Sequence, residues 1–178
     1  MKHEMKPTTA LVPCPVVLLS VSGRDKPNII TLSWAANVCS NPPTMVVGIR
    51  PERYSYDLVK DAEEFVLNIP SADLIEGTIF AGTKSGRDYD KFSECGFTPE
   101  PASKIKAPMI KECPINIECK IRDIVPLGAH DLFIVDVLSV HIDDSVLGEN
   151  GQFDASKTEL FTYLPLNGQY WTLGKKLQ

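Results

Sequence analysis

The sequence predicts a mainly β protein with small helices, folded as a closed or nearly closed β-barrel, and three observations carry that prediction. Short apolar runs rich in β-branched residues recur through the first half, with turn residues between them. Residues 115–122 alternate strictly: Ile115, Ile117, Cys119 and Ile121 against Asn116, Glu118, Lys120 and Arg122, the period of a half-buried strand. The helical patterns are short and inserted between strands, which fits an antiparallel barrel better than a βαβ series.

The elements follow in order. Residues 16–22 (VVLLSVS) read as a strand, the turn chemistry of GRDKPN follows, and residues 29–33 (IITLS) read as the next strand. The polar stretch TLSWAANVCSNPP, from Thr31 to Pro43, reads as a loop at the end of that strand, with Pro42 and Pro43 fixing the exit into a third strand, TMVVGI (44–49). Ser55 is the expected N-cap of a short helix, YDLVKDAEE, after which FVLNIP (65–70) returns as a strand. A second helix is expected over SADLIEGTIFAG, capped by Ser71 and ending near Gly82. A polar loop with one helical turn between Tyr89 and Cys95 leads to the alternating strand. The segment GAHDLFIVDVLSVHID is then a long strand, mostly apolar on both faces and so buried against something.

At 178 residues the chain is expected to form one domain, residues 1–178, with residues 1–9 as a flexible or dimer-contacting arm. An apolar share of 43% and a charged share of 23% are those of a globular protein. A net charge of −5 without any Lys/Arg run argues against a nucleic-acid partner. The longest apolar run, Val16 to Val21, is too short to span a bilayer, and the N-terminal stretch carries prolines where a signal helix would form. Five cysteines, an odd count with no Cys-x-x-Cys, point to neither a disulfide framework nor a metal site. A reducing cytoplasm is the expected compartment.

No Gly-x-Gly-x-x-Gly follows a strand, and GTIFAGTKS is not a phosphate loop, because Thr83 stands where its lysine belongs. What remains is distributed. RPERYS (50–55) sets two arginines ahead of a helix start, and TKSGRDYDK (83–91) offers Lys84, Ser85, Arg87 and Lys91 among glycines. Either segment also reads as a solvated loop. Free N–H groups at a helix start, a hydroxyl and nearby cations suit a phosphate. The short polar side chains of Thr31 to Ser40 suit the edge of a planar heterocycle. Together they describe a site for a phosphorylated ring compound.

The ordered series PCPVVLLSVSGRDKPNIITLSWAANVCSNPPTMVVGIRPERYSYDLVKDAEEFVLNIP, then SGRDYDKF, GAHDLFIVDV and PLNGQYWTLGKKL, resembles the flavin reductase-like family of FMN-binding split-barrel proteins, and within it the flavoredoxins. Ala129 and Val135 depart from the aspartate and glycine usual in that family. The resemblance implies a Greek-key split β-barrel that forms a homodimer and holds FMN noncovalently. It places Thr31, Leu32, Ser33 and Trp34 beside the flavin ring, with Cys39 on the ring side. It places Ile49, Arg50, Pro51, Tyr54 and Ser55 along the ribityl chain and phosphate, and Thr83, Lys84, Ser85, Arg87 and Lys91 at the closing side of the phosphate. His130 is expected at the open face of the flavin, as the candidate catalytic residue. The implied activity is that of a flavin-dependent oxidoreductase or electron-transfer protein passing electrons to a redox partner protein. An NAD(P)H:flavin reductase, with NADH or NADPH as donor, and a non-catalytic FMN-binding protein are the alternatives.

Overall fold

A computed structural model describes all 178 residues. Its strands are β1 (Cys14–Pro15), β2 (Val17–Val21), β3 (Asn28–Leu32), β4 (Ala35–Ser40), β5 (Pro43–Ile49), β6 (Glu64–Ile69), β7 (Pro99–Glu100), β8 (Met109–Ile110), β9 (Ile115–Pro126), β10 (Asp131–Ile142), β11 (Phe161–Leu164) and β12 (Gln169–Thr172). Three α-helices are inserted: α1 (Tyr54–Ala62), α2 (Ile75–Thr83) and α3 (Lys91–Glu94). Seven strands form one antiparallel sheet in the order β3-β2-β6-β9-β10-β5-β4. Its two edges, β3 and β4, are consecutive in the chain, joined only by Ser33 and Trp34, yet they share no ladder. The sheet therefore curls round on itself and stays open along that seam, as a split barrel. A small sheet of β1, β11 and β12 lies apart from it.

Two apolar clusters lie on opposite faces of β2 and β3. Inside the barrel, Val17, Leu19 and Val21 meet Phe65, Leu67, Cys119, Phe133 and Val135, and α1 adds Tyr56, Leu58 and Val59 to the same core. On the outer face, Leu18 and Ile29 pack with Ala81 of α2 and Phe92 of α3. This explains the unbroken apolar run of β2, which is buried on both sides. Each fully buried Leu or Phe contributes about 1.5–3 kcal/mol, so these clusters fix α1 and α2 against β3, and the site lies between them.

Four expectations change. The stretch from Thr31 to Pro43 is not one loop: it contains β4, paired with β5 through Ala35↔Val47 and Cys39↔Thr44. Residues 36–40 of this edge strand are solvent-exposed, so they carry no apolar alternation to betray them. Ser55 does not cap α1. The helix begins at Tyr54 with Arg53 in the cap position and no side chain accepting from its first turn. The second helix opens as a 3₁₀ turn, Ala72–Leu74, before α2. The C-terminal hairpin of β11 and β12 was not expected as strands, since each is only four residues long.

Candidate functional site

Two adjoining clefts open between the seam, the start of α1 and the end of α2. The first, about 140 Å³, is walled by Arg53 to Ser55 on one side and by residues 82–87 on the other. The second, about 480 Å³, runs from Thr31 to Trp34 across to Gly48, Arg50 and His130. Ile30, Arg53 and Gly82 line both, so the two are parts of one site.

The smaller cleft is cationic. Arg53, Lys84, Arg87 and Lys91 line it, against a single carboxylate, Glu52. The uncapped start of α1 adds backbone N–H groups that have no partner within the helix, and the positive end of the helix dipole with them. Close approach of the walls depends on two glycines. A Cβ on Gly86 would meet Asn28 Oδ1 at 2.1 Å, and one on Gly82 would meet Thr31 Cβ at 3.1 Å. The Arg87 guanidinium stands over the Tyr54 ring at 5.2 Å, which holds that loop to α1.

Lys91 forms the floor. Its ammonium is buried and donates to the Ile29 carbonyl at 2.8 Å and the Ala81 carbonyl at 2.7 Å, tying β3 to α2. Burial, aided by the nearby Arg53 charge, lowers its pKa to about 8. An ammonium has three N–H groups, so one remains beyond the two carbonyls. Ser55 is 2% exposed, and its Oγ accepts from Asn28 Nδ2 at 2.7 Å.

The larger cleft is aromatic, lined by Trp34, His130 and Tyr163, with Arg50 and Arg53 at its edge. The Trp34 indole and the His130 imidazole are neighbours, with ring centres 6.3 Å apart and planes tilted by 56°, and Trp34 packs on Gly48, where an added Cβ would lie 3.1 Å from Trp34 Cβ. Burial, then the Arg50 charge, lowers the His130 pKa from its ordinary value, which favours the neutral ring. The loop carrying His130 is anchored by Tyr56 of α1, whose hydroxyl donates to Asp131 Oδ2 at 2.5 Å. That bond pushes the Tyr56 pKa up to about 12. Thr31 is partly committed elsewhere, since its hydroxyl donates to the Thr78 carbonyl of α2 at 2.5 Å.

Of the residues singled out in the sequence, the structure brings Tyr54, Ser55, Thr83, Lys84, Ser85, Arg87 and Lys91 to the smaller cleft. It brings Thr31, Leu32, Ser33, Trp34, Arg50 and His130 to the larger one. Arg50 therefore sits on the aromatic side, paired with Glu52 at 3.1 Å, and not among the cations of the smaller cleft. Ile49 points into the barrel core, and Pro51 is exposed on the turn. Cys39 lies in the exposed stretch of β4 opposite Thr44 and lines neither cleft. Arg53, Gly82, Gly86 and Tyr163 border the site without having been picked out individually. Arg53 stood in plain view as the second arginine of RPERYS. Tyr163 comes from β11, far along the chain, and no local pattern marks it.

The donor set fits a flavin mononucleotide. A dianionic phosphate suits the four cations and the open helix start, and a planar ring suits the aromatic cleft that continues from them. Residues 9–170 match the model of the flavin reductase like domain. A flavoredoxin of Desulfovibrio vulgaris (Miyazaki F) superposes with a TM-score of 0.94 at 32% identity, covering 100% of this chain and 96% of that one. A flavoredoxin of Methanosarcina acetivorans superposes with a TM-score of 0.92 at 26% identity, covering 100% and 94%. An uncharacterised protein of Archaeoglobus fulgidus is 36% identical over 127 residues, which is 71% of this chain and 72% of that protein. With its barrel split at the β3/β4 seam and its phosphate-type and ring-type clefts joined there, this chain belongs to the flavin reductase-like family.

Proposed function

We propose that this protein binds one FMN per chain across the two clefts and acts as a flavoredoxin-like electron-transfer flavoprotein. The observation that carries this reading is the continuity of the sites: a cationic cleft and an aromatic cleft share Ile30, Arg53 and Gly82. FMN, when bound, supplies the redox chemistry, and the protein supplies binding, orientation and electrostatics. Lys84, Arg53 and Arg87 neutralise the phosphate, and the first turn of α1 offers it N–H donors. Thr31, Ser33 and Trp34 border the ring. His130, beside Trp34, stands where an electron donor or acceptor would approach, and its neutral form, which the site favours, offers one donor and one acceptor there.

The working unit is proposed to be a homodimer. At the ends of β9 and β10 the cross-strand pairs Ile117↔Val140 and Ile115↔Ile142 continue the core-facing side of the sheet, yet Val140 is 52% exposed. A second copy of this chain would cover that apolar face.

Two measurements test the reading. The purified protein should be yellow, with flavin absorbance bands, and should release FMN on denaturation; a colourless protein that takes up no added FMN sinks it. Holoprotein mixed with NADH or NADPH then separates the roles. Rapid steady-state oxidation of either cofactor would make it a nicotinamide-dependent flavin reductase. Reduction only by a low-potential protein or chemical donor supports electron transfer, and no reduction by any donor would leave a non-catalytic FMN binder.

A further inference from the structure

We propose that Asn28 is a positioning residue for phosphate recognition, acting through the hydroxyl of Ser55. This rests on the reading of the smaller cleft as the phosphate site. Ser55 carries the only aliphatic hydroxyl in the opening turn of α1, and it lies against the cationic cleft. A serine hydroxyl has one hydrogen to give and two lone pairs with which to accept. In a buried setting, the partner that uses one side decides where the other points.

Here the partner is Asn28, 4% exposed at the start of β3, whose Nδ2 donates to Ser55 Oγ at 2.7 Å. Because the amide gives a hydrogen, it occupies an acceptor site of the serine oxygen and leaves the O–H uncommitted. No other bond from that O–H to protein is present. The free hydrogen is therefore available to an anion in the cleft. Asn28 itself does not line the cleft, so it cannot touch that anion directly. Its other end, Oδ1, is held against Gly86, where no side chain fits: an added Cβ would lie 2.1 Å away. The amide is thus clamped between the loop that closes the cleft and the serine that faces into it. A carboxylate in the same place would reverse the polarity. It can only accept, so it would draw the Ser55 hydrogen toward itself and set a negative charge behind the phosphate.

The test compares FMN with riboflavin, which has the same ring and no phosphate. Dissociation constants are measured by flavin fluorescence on apoprotein for wild type, Asn28→Asp, Asn28→Ala, Ser55→Ala and the double variant Asn28→Ala/Ser55→Ala. Circular dichroism and a thermal melt on each sample report folding. Wild type is expected to prefer FMN over riboflavin. Asn28→Asp should weaken FMN by about tenfold or more and leave riboflavin affinity unchanged. Asn28→Ala should weaken FMN in the wild-type background and have no further effect once Ser55 is alanine, since the two act as one unit. A wild-type preference for FMN that survives Asn28→Asp overturns the inference alone. Additive losses in the double variant, with riboflavin weakened equally, also overturn it, as a purely structural role. Equal affinity of wild type for FMN and riboflavin overturns the phosphate reading itself, and this inference with it.

Discussion

Lys91→Met tests the most exacting part of the site, a buried cation that serves both the scaffold and the cleft. Methionine keeps most of the length of the side chain, one atom short, and removes the charge. In the folded protein the Lys91 pKa is lowered to about 8 by burial, against an ordinary 10.5. The unfolded chain therefore binds more protons between those values, and stability from this group rises with pH across that window. The displacement corresponds to about 3 kcal/mol in the limit. Between pH 7 and pH 9 the linkage amounts to about 1 kcal/mol in favour of wild type. The two ammonium bonds to Ile29 and Ala81 add to the wild-type advantage, each worth about 1.5–3 kcal/mol, since their loss leaves both carbonyls unpaired in the variant. Urea unfolding of apoprotein, run for both chains at pH 7 and pH 9, separates the two effects. The variant should be less stable at both values, by a margin that widens by about 1 kcal/mol at the higher pH. Other groups that titrate in this range are common to the two chains and cancel in the difference. A margin that stays constant, or narrows, refutes the placement of a charged ammonium in that floor. A phosphate beside Lys91 favours its protonated form, so FMN affinity should also fall as pH rises above 8, and the fall should vanish in the variant.

Gly86→Ala would drive a methyl into Asn28 Oδ1 at 2.1 Å and Tyr54 Cδ1 at 2.9 Å; overpacking of this kind costs about 1–3 kcal/mol. A thermal melt should show the loss, together with weaker FMN binding, whereas Gly174→Ala, which meets nothing within 4 Å, should change neither. Glu118 is fully buried. Burial raises its pKa, but bonds from Ser103, His141 and Lys104 outweigh that and lower it to about 2. Its stabilising contribution is present above pH 4.5 and is lost as the pH falls toward 2. Glu118→Gln should therefore cost about 3 kcal/mol at pH 7 by chemical denaturation, and the gap to wild type should close in acid. Cys39→Ala should leave FMN affinity unchanged, because that thiol lies outside both clefts. A weakened titration would bring β4 into the site, by way of a second copy of the chain.

The strands with a buried face were legible and the exposed ones were not. β9 announces itself through Ile115 to Ile121, and β2 through an apolar run explained by clusters on both its faces. β4 has the opposite character: AANVCS is paired on one side only and mostly bare, so nothing in its composition separates it from a loop. Helix starts failed for a related reason. Ser55 looks like a cap because capping serines accept from the helix backbone, but its oxygen is engaged by Asn28, twenty-seven positions away in sequence. Lys91 was legible as a cation beside the cleft, but its two carbonyl partners come from β3 and α2 and leave no sequence trace.

The same distinction explains why the site lies where it does. Thr31 to Trp34 is the point at which the chain leaves one edge of the sheet for the other. A barrel closed by a β3–β4 ladder would fill that seam with hydrogen bonds and leave no room for the aromatic cleft beside it. Keeping the seam open costs the pairing of two edge strands, and the fold limits that cost in two ways. It packs α2 over β3, through the Thr31 bond to Thr78 and the Lys91 bonds to Ile29 and Ala81, and it holds the seam residue Trp34 to β5 by the Gly48 N–H, at 2.7 Å from the Trp34 carbonyl. The groups that secure the open barrel are thus the ones that line the clefts. Substitutions at Thr31, Lys91 or Gly48 should accordingly change stability and flavin affinity together, whereas those at Lys84, exposed on the closing loop, should change affinity alone.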